Sequence, residues 1–128
     1  MRTILAITFI TFATQTSALS PITPGDLFFC SETENLSWYS DESKLTKYKL
    51  NRFKLEITSN NIIITEHPYF SDKEIPIIDL IGNILQAGSN SRIIKLMGEK
   101  FIYVDAHYGI PSGDNVTASL IAADCNKN

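Results

Sequence analysis

Apolar and polar residues alternate through most of the chain, which is the pattern of strands with one buried face. In residues 47–57 (KYKLNRFKLEI), Tyr48 and Leu50 share a face. Phe53, Leu55 and Ile57 resume that face only if one residue is absorbed near Asn51-Arg52, which a β-bulge would do. Ser59-Asn60-Asn61 supplies residues that tolerate left-handed turns, and the β-branched run 62–65 follows, so 47–65 is expected to be a hairpin. Residues 92–96 and 101–106 flank Met97-Gly98-Glu99-Lys100, a second expected hairpin with glycine in its turn. The stretch 110–114 (IPSGD) breaks the chain before a last strand over 116–123. Earlier strands are expected around 27–31 and at 36–40.

One segment departs from the period of two. Residues 75–86 (IPIIDLIGNILQ) put Asp79, Gly82, Asn83 and Gln86 at i, i+3, i+4 and i+7, a narrow polar stripe on an apolar helix. Pro76 suits a first helical turn and Gly88 lies beyond the end. Against a helix stand the many isoleucines and Gly82, which costs about 1 kcal/mol inside one. The rival is two short strands turning at Gly82-Asn83, and the pattern leaves both open. The expected fold class is mainly β: a single antiparallel barrel or sandwich of about 7–8 short strands, with a short helix near 76–86 as one option.

The first residues stand apart from this pattern. Met1-Arg2 is a short positive start, residues 4–13 are mostly apolar, and small polar residues follow up to Ala18. These are the parts of a secretory signal peptide over 1–18, with an apolar run of about 10 residues, too short to span a bilayer. Residues 19–26 then form an extended lead-in, and 27–128 a single β domain. The bulky Leu27-Phe28-Phe29 before Cys30 disfavours a lipid anchor there. The expected location is secreted or periplasmic.

Composition narrows the function classes. The chain has 128 residues, 44% of them hydrophobic, and a formal charge of −3. Loss of the signal peptide removes one arginine and no acid, leaving a charge of −4. That length holds about one domain, and the acidic balance argues against nucleic acid, whose phosphates call for clustered positive charge. Cys30 and Cys125 are the only cysteines, and in an exported chain they point to one disulfide. It would close a loop of about 95 residues, for which the chain-entropy model gives roughly 4–5 kcal/mol. It also requires the first and last ordered segments to lie within about 7 Å. No metal site or cofactor is expected, since CxxC, HExxH and Gly-rich phosphate loops are all missing.

The candidate chemistry is sparse. Asp105 and His107, at i and i+2, share a face of a continuing strand. With Glu66 and His67 brought near by folding, they form a candidate polar site: a metal site, or a base and its orienting carboxylate for Ser112 or Ser119. The commoner role for such residues is plain surface polarity beside a loop, so no catalytic residue is assigned. Lys44, Lys47, Lys49, Arg52 and Lys54 gather half of the mature basic charge into one short stretch. They are a candidate docking stripe for an acidic partner, or the solvated face of an edge strand. Asn35-Leu36-Ser37 and Asn115-Val116-Thr117 match glycosylation sequons.

Cys30, Arg52-Phe53-Lys54, Tyr69-Phe70-Ser71-Asp72, Phe101-Ile102-Tyr103 and the run from Val116 to Cys125 together resemble small exported alphaproteobacterial proteins of unknown function. A looser similarity is to the periplasmic C-type lysozyme inhibitors, small antiparallel barrels with a late cysteine. Their S-G-x-x-Y-like loop corresponds here to Ala87-Gly88-Ser89-Asn90-Ser91-Arg92, without the tyrosine. The signal, the single disulfide and the lack of any strong catalytic constellation point to a non-catalytic, monomeric binding domain for a protein or small ligand in the periplasm, and the lysozyme-inhibitor resemblance would make that partner a lysozyme. The alternatives are a small hydrolase or metal-dependent enzyme using Asp105 and His107, and a structural envelope component docking through the 44–54 stripe.

Overall fold

The computed structural model of the protein describes residues 20–40, 43–68, 74–89, 91–108 and 116–128, with the side chains of 107, 108 and 116 left aside. The expected signal peptide and Tyr69, Phe70, Ser112 and Asn115 lie outside the described residues. The described chain is all strand: β1 (Leu27–Tyr39), β2 (Lys44–Lys47), β3 (Arg52–Ile57), β4 (Asn61–Thr65), β5 (Glu74–Ile81), β6 (Ile84–Ser89), β7 (Arg92–Met97), β8 (Lys100–Tyr108) and β9 (Val116–Lys127). Neighbours pair antiparallel from β3 through β9, and β9 pairs back onto β1. Eight strands therefore close a barrel, which removes the open edges that a flat sheet would expose. The ninth, β2, pairs with the second half of β1 while β3 pairs with the first half.

Turn chemistry explains the hairpins at one end. Ile81 pairs with Ile84 and Met97 with Lys100, so Gly82-Asn83 and Gly98-Glu99 are two-residue turns. Gly82 (φ 61°) and Gly98 (φ 60°) occupy the first central position, which needs positive φ in a type II′ turn. The helix option at 76–86 is thereby excluded. Ile75, Ile77 and Leu80 face inward because a bulge between Ile77 and Asp79 shifts the parity of β5. That bulge imitates the i, i+3 spacing of a helix.

Two further expectations are revised. The strands expected at 27–31 and 36–40 are one continuous strand, since β9 stays paired along the whole of β1. The parity slip near Asn51-Arg52 is a break between β2 and β3 over residues 48–51, and no bulge within one strand is needed.

The lower half of the barrel, where these tight turns lie, is filled. Phe28, Phe53, Leu55, Ile57, Ile62, Leu85, Ile94, Leu96 and Phe101 are buried in one apolar cluster. Phe53 and Phe101 meet edge to face at 5.1 Å. Ile22 closes this end, its N–H bonded to the Gly82 carbonyl at 2.9 Å and its side chain buried in the same cluster. Asp26, paired with Lys127 at 3.0 Å, ties that lead-in to the end of β9. Cys30 and Cys125 are direct cross-strand partners and form the expected disulfide, with Cα atoms 4.0 Å apart. The Cys125 N–H bonds to the Glu99 carbonyl on the other side, so Cys30 and Cys125 occupy a non-hydrogen-bonded pair, where strands approach most closely.

Candidate functional site

The upper half of the barrel is built differently, and two backbone departures are responsible. On β1, Phe28, Cys30 and Glu32 face inward. Thr33 is then an extra residue against β9, and the bulge reverses the alternation so that Asn35, Ser37 and Tyr39 face inward. After β4, whose Ile62 and Ile64 face inward, Glu66 takes a left-handed conformation (φ 66°). This turn sends Glu66 outward to Lys54 at 3.2 Å and His67 inward. β8 and β9 need no such device: Tyr103 and Asp105, and Ser119 and Ile121, continue their inward alternation.

These residues enclose a partly open cavity of about 350 Å³, lined by Asn35, Ser37, Tyr39, Tyr48, His67, Tyr103, Asp105, Ser119 and Ile121. An eight-stranded barrel is just wide enough to be filled by side chains or to hold one small ligand. Here it does the first below and leaves room for the second above.

Beneath the cavity sits a buried carboxylate. Glu32 Oε1 accepts from the Asn51 N–H at 2.9 Å, from Asn51 Nδ2 at 3.1 Å and from Asn35 Nδ2 at 3.2 Å. His67 Nε2 lies 3.3 Å from Glu32 Oε2, and both side chains are essentially shielded from water. The His67 ring also rests edge-on against Phe53 at 5.5 Å. Burial holds the His67 pKa below the usual histidine value, and the Glu32 hydrogen bond and charge oppose this without overcoming it. Neutral His67 thus donates from Nε2, and Glu32 is held mainly by amide donors. The break at 48–51 has its reason here: the Asn51 carbonyl accepts from the Glu32 N–H while its own N–H turns to the carboxylate.

The cavity walls carry hydroxyls. Ser37 and Ser119 share a hydrogen bond at 2.9 Å, as do the phenols of Tyr39 and Tyr48 at 2.6 Å. The Tyr103 hydroxyl donates to Asp105 Oδ2 at 3.2 Å, and Arg92 Nε stands 3.9 Å from the same oxygen.

No family model, curated protein or solved structure matches the chain, so the site is read from its own chemistry. Of the expected polar site, His67 and Asp105 do line one cavity, and Ser119 joins them. The carboxylate on His67 is Glu32 and not Glu66. The backbone of His107 pairs with Thr117, but its side chain is not among the described ones. No group of metal-ligating side chains converges among the described residues. The basic residues do not form one array. Lys47, beside Leu36, and Lys44, beside Tyr39, alternate on β2, while Lys54 is engaged by Glu66 and lies over the Phe29 ring. Lys49 and Arg52 are exposed. Asn35, whose amide is buried against Glu32, is closed to glycosylation in the folded state.

Sequence reasoning missed Glu32, Asn35, Ser37, Tyr39, Tyr48 and Tyr103. For β8 the signal was present in the alternation Phe101, Tyr103, Asp105. For β1 the run Glu32-Thr33-Glu34-Asn35 looked like a connection, because nothing local marks Thr33 as a bulge.

Proposed function

We propose that the protein is a binding protein for a small polar molecule, which it takes into the upper cavity of the barrel. One observation carries this reading: a closed barrel whose lower half is filled by buried apolar side chains keeps a cavity of about 350 Å³ above, ringed by hydroxyl, amide, imidazole and carboxylate groups. Small-molecule sites are clefts of this size with a few convergent polar groups, and the mouths of β-barrels are a common place for them. The disulfide supports an oxidising compartment, extracellular or periplasmic, as the place where this binding occurs. An exported carrier or scavenger of a small solute fits both features.

A hydrolytic role finds less support. The His67 Nε2 faces Glu32 and the hydroxyls of Ser37 and Ser119 face each other, so the shown hydrogen bonds assemble no base–nucleophile pair. Recognition of a protein, such as a lysozyme, would use the surface loops and leave the cavity without a role.

The test is a nuclear magnetic resonance screen of the full mature chain against small polar molecules. Binding should move the signals of Tyr39, Tyr48, Tyr103 and Ser119 together, and Ser119→Trp should abolish it in a chain whose spectrum still shows the folded barrel. Shifts confined to the outer wall, or ligand binding that survives Ser119→Trp unchanged, would overturn the cavity as the site.

A further inference from the structure

The outer wall of the barrel differs from strand to strand. On β3 it carries Arg52, Lys54 and Glu56, all charged. From β7 to β9 it carries Ile93, Met97, Ile102, Val104 and Leu120, each 37–52% exposed. Contiguous apolar surface of this kind marks an interaction site. The strand register orders it into rows, because residues directly opposite each other on antiparallel strands share a face. One row reads Ile93, Val104, Leu120 and Leu36 across β7, β8, β9 and β1. The row below reads Lys95, Ile102, Ala122 and Glu34, and the next Met97, Lys100, Asp124 and Ser31. Above, Ala106, Ala118 and Trp38 continue the wall. The Thr33 bulge is what turns Glu34 and Leu36 to this side. Lys95 and Glu34 stand at opposite ends of their row, and neither has an ion-pair partner among the described residues.

Such a wall can be tested for fit against itself. Two copies related by a twofold axis along the strands face each other with the strand order reversed. With the axis between β8 and β9, β7 lies over the partner's β1 and β8 over the partner's β9. Ile93 then meets the partner's Leu36 and Val104 the partner's Leu120. Lys95 meets the partner's Glu34, and Lys100, already paired with Asp124 in its own chain, meets the partner's Asp124. At the flanks, Lys47 beside Leu36 and Arg52 beside Ser31 come opposite the partner's Gly88 and Ile84, so no like charges face each other there. Other placements fail. An axis on β7, β8 or β9 sets Lys95, Lys100 or Asp124 against its own copy. Axes between the neighbouring strand pairs leave Lys95 against Ile102 or Glu34 against Ala122. The wall is four strands wide and four rows tall, about 20 by 25 Å, or on the order of 500 Å² per copy. Two copies bury about 1,000 Å² in all, the lower bound of a specific interface, which sets the dissociation constant in the micromolar range.

We propose that the protein associates with a second copy of itself through the outer wall of β7, β8, β9 and the second half of β1, with the twofold axis between β8 and β9. The monomer expected from the sequence is then the dilute form. The contact lies outside the barrel, so each copy keeps its own cavity.

Sedimentation equilibrium of the full mature chain, disulfide intact, tests this from about 1 μM to about 1 mM at neutral pH, where the mass should pass from monomer to dimer. Leu120→Asp should weaken association at least about a hundredfold. Lys95→Glu and Glu34→Lys should each weaken it about tenfold, and the two together should restore it to within about threefold, because only this axis brings the two positions together. Ile78→Glu, on β5 outside the wall, should leave it unchanged. The charge reversals alter exposed side chains and decide the question even if Leu120→Asp folds poorly. A chain that stays monomeric at about 1 mM overturns the proposal. So does a dimer that Leu120→Asp leaves intact, that Ile78→Glu weakens equally, or that the paired reversal fails to restore.

Discussion

The two halves of this barrel share strands but not interiors. Below, Phe53, Leu55, Phe101 and Leu96 are packed with almost no exposure, the disulfide lies among them and Ile22 closes the end. Above, the same β1, β8 and β9 carry Asn35, Ser37, Tyr39, Tyr103, Asp105 and Ser119 into a cavity. The difference shows how a small domain combines stability with a site. The packed half supplies the burial that holds the barrel closed, and a polar half without dense packing can then persist on top of it. Glu32 and His67 form the boundary, with His67 against Phe53 on one side and open to the cavity on the other.

The sharpest way to break this comparison is to truncate one residue in each half. Phe101→Ala should lower unfolding stability by about 3–5 kcal/mol, as large-to-small changes in packed cores do. Ser119→Ala should cost no more than about 1 kcal/mol, the net worth of one hydrogen bond. Urea denaturation of both variants checks this; similar losses would mean that the upper half is as tightly packed as the lower.

At the boundary the expected effect is intermediate. Glu32→Ala should cost about 2–3 kcal/mol, because the donors of Asn51 and Asn35 lose a buried acceptor. It should also weaken amide protection at Asn51, measured by hydrogen exchange. A loss below about 0.5 kcal/mol would show that water replaces the carboxylate freely.

A smaller effect follows from the buried imidazole. The folded-state pKa of His67 lies below its ordinary value of 6.5, mainly through burial, so the unfolded chain binds the proton more readily. The contribution of neutral His67 is therefore fully present above pH 6.5 and is lost as pH falls through that value toward the lower folded-state pKa. Stability measured between pH 7 and 5 should decline, and His67→Gln should flatten the decline. An unchanged slope in the variant would assign the acid sensitivity elsewhere.

The smallest expected effect tests the device that turns His67 inward. Glu66→Asn replaces a residue unfavoured at φ 66° by one that tolerates it, at the loss of a solvent-exposed pair with Lys54. A gain of about 0.5 kcal/mol is expected by thermal denaturation, with ligand binding retained. A loss of more than about 1 kcal/mol would mean that the Lys54 contact, and not backbone conformation, holds that corner.

Much of the lower half was legible in the residue pattern. The alternation of Phe53, Leu55 and Ile57, the turn residues at 59–61 and 98–99, and the pairing of Cys30 with Cys125 all followed from local rules. The segment 75–86 was ambiguous because Asp79, Gly82, Asn83 and Gln86 make a helical polar stripe, and the bulge sets the inward positions 77 and 80 at the i, i+3 spacing of a helix. In the upper half, Asp105 and Ser119 belonged to regular alternations, and His67 was noticed for its chemistry alone. Glu32 was missed because the groups that make its burial tolerable are remote: Asn51 lies 19 residues away and His67 35.

The sequence by itself determined an antiparallel β domain closed by a disulfide, since periodicity, turn residues and cysteine positions are local or pairwise facts. Only the tertiary structure decided that the sheet closes on itself through β1 and β9, and that the closed space divides into a packed half and a polar one. A one-residue bulge at Thr33 and a left-handed Glu66 each reverse which side chains face inward. Whether such a reversal is favourable depends on hydrogen-bond partners contributed by other strands, which no window of the chain contains.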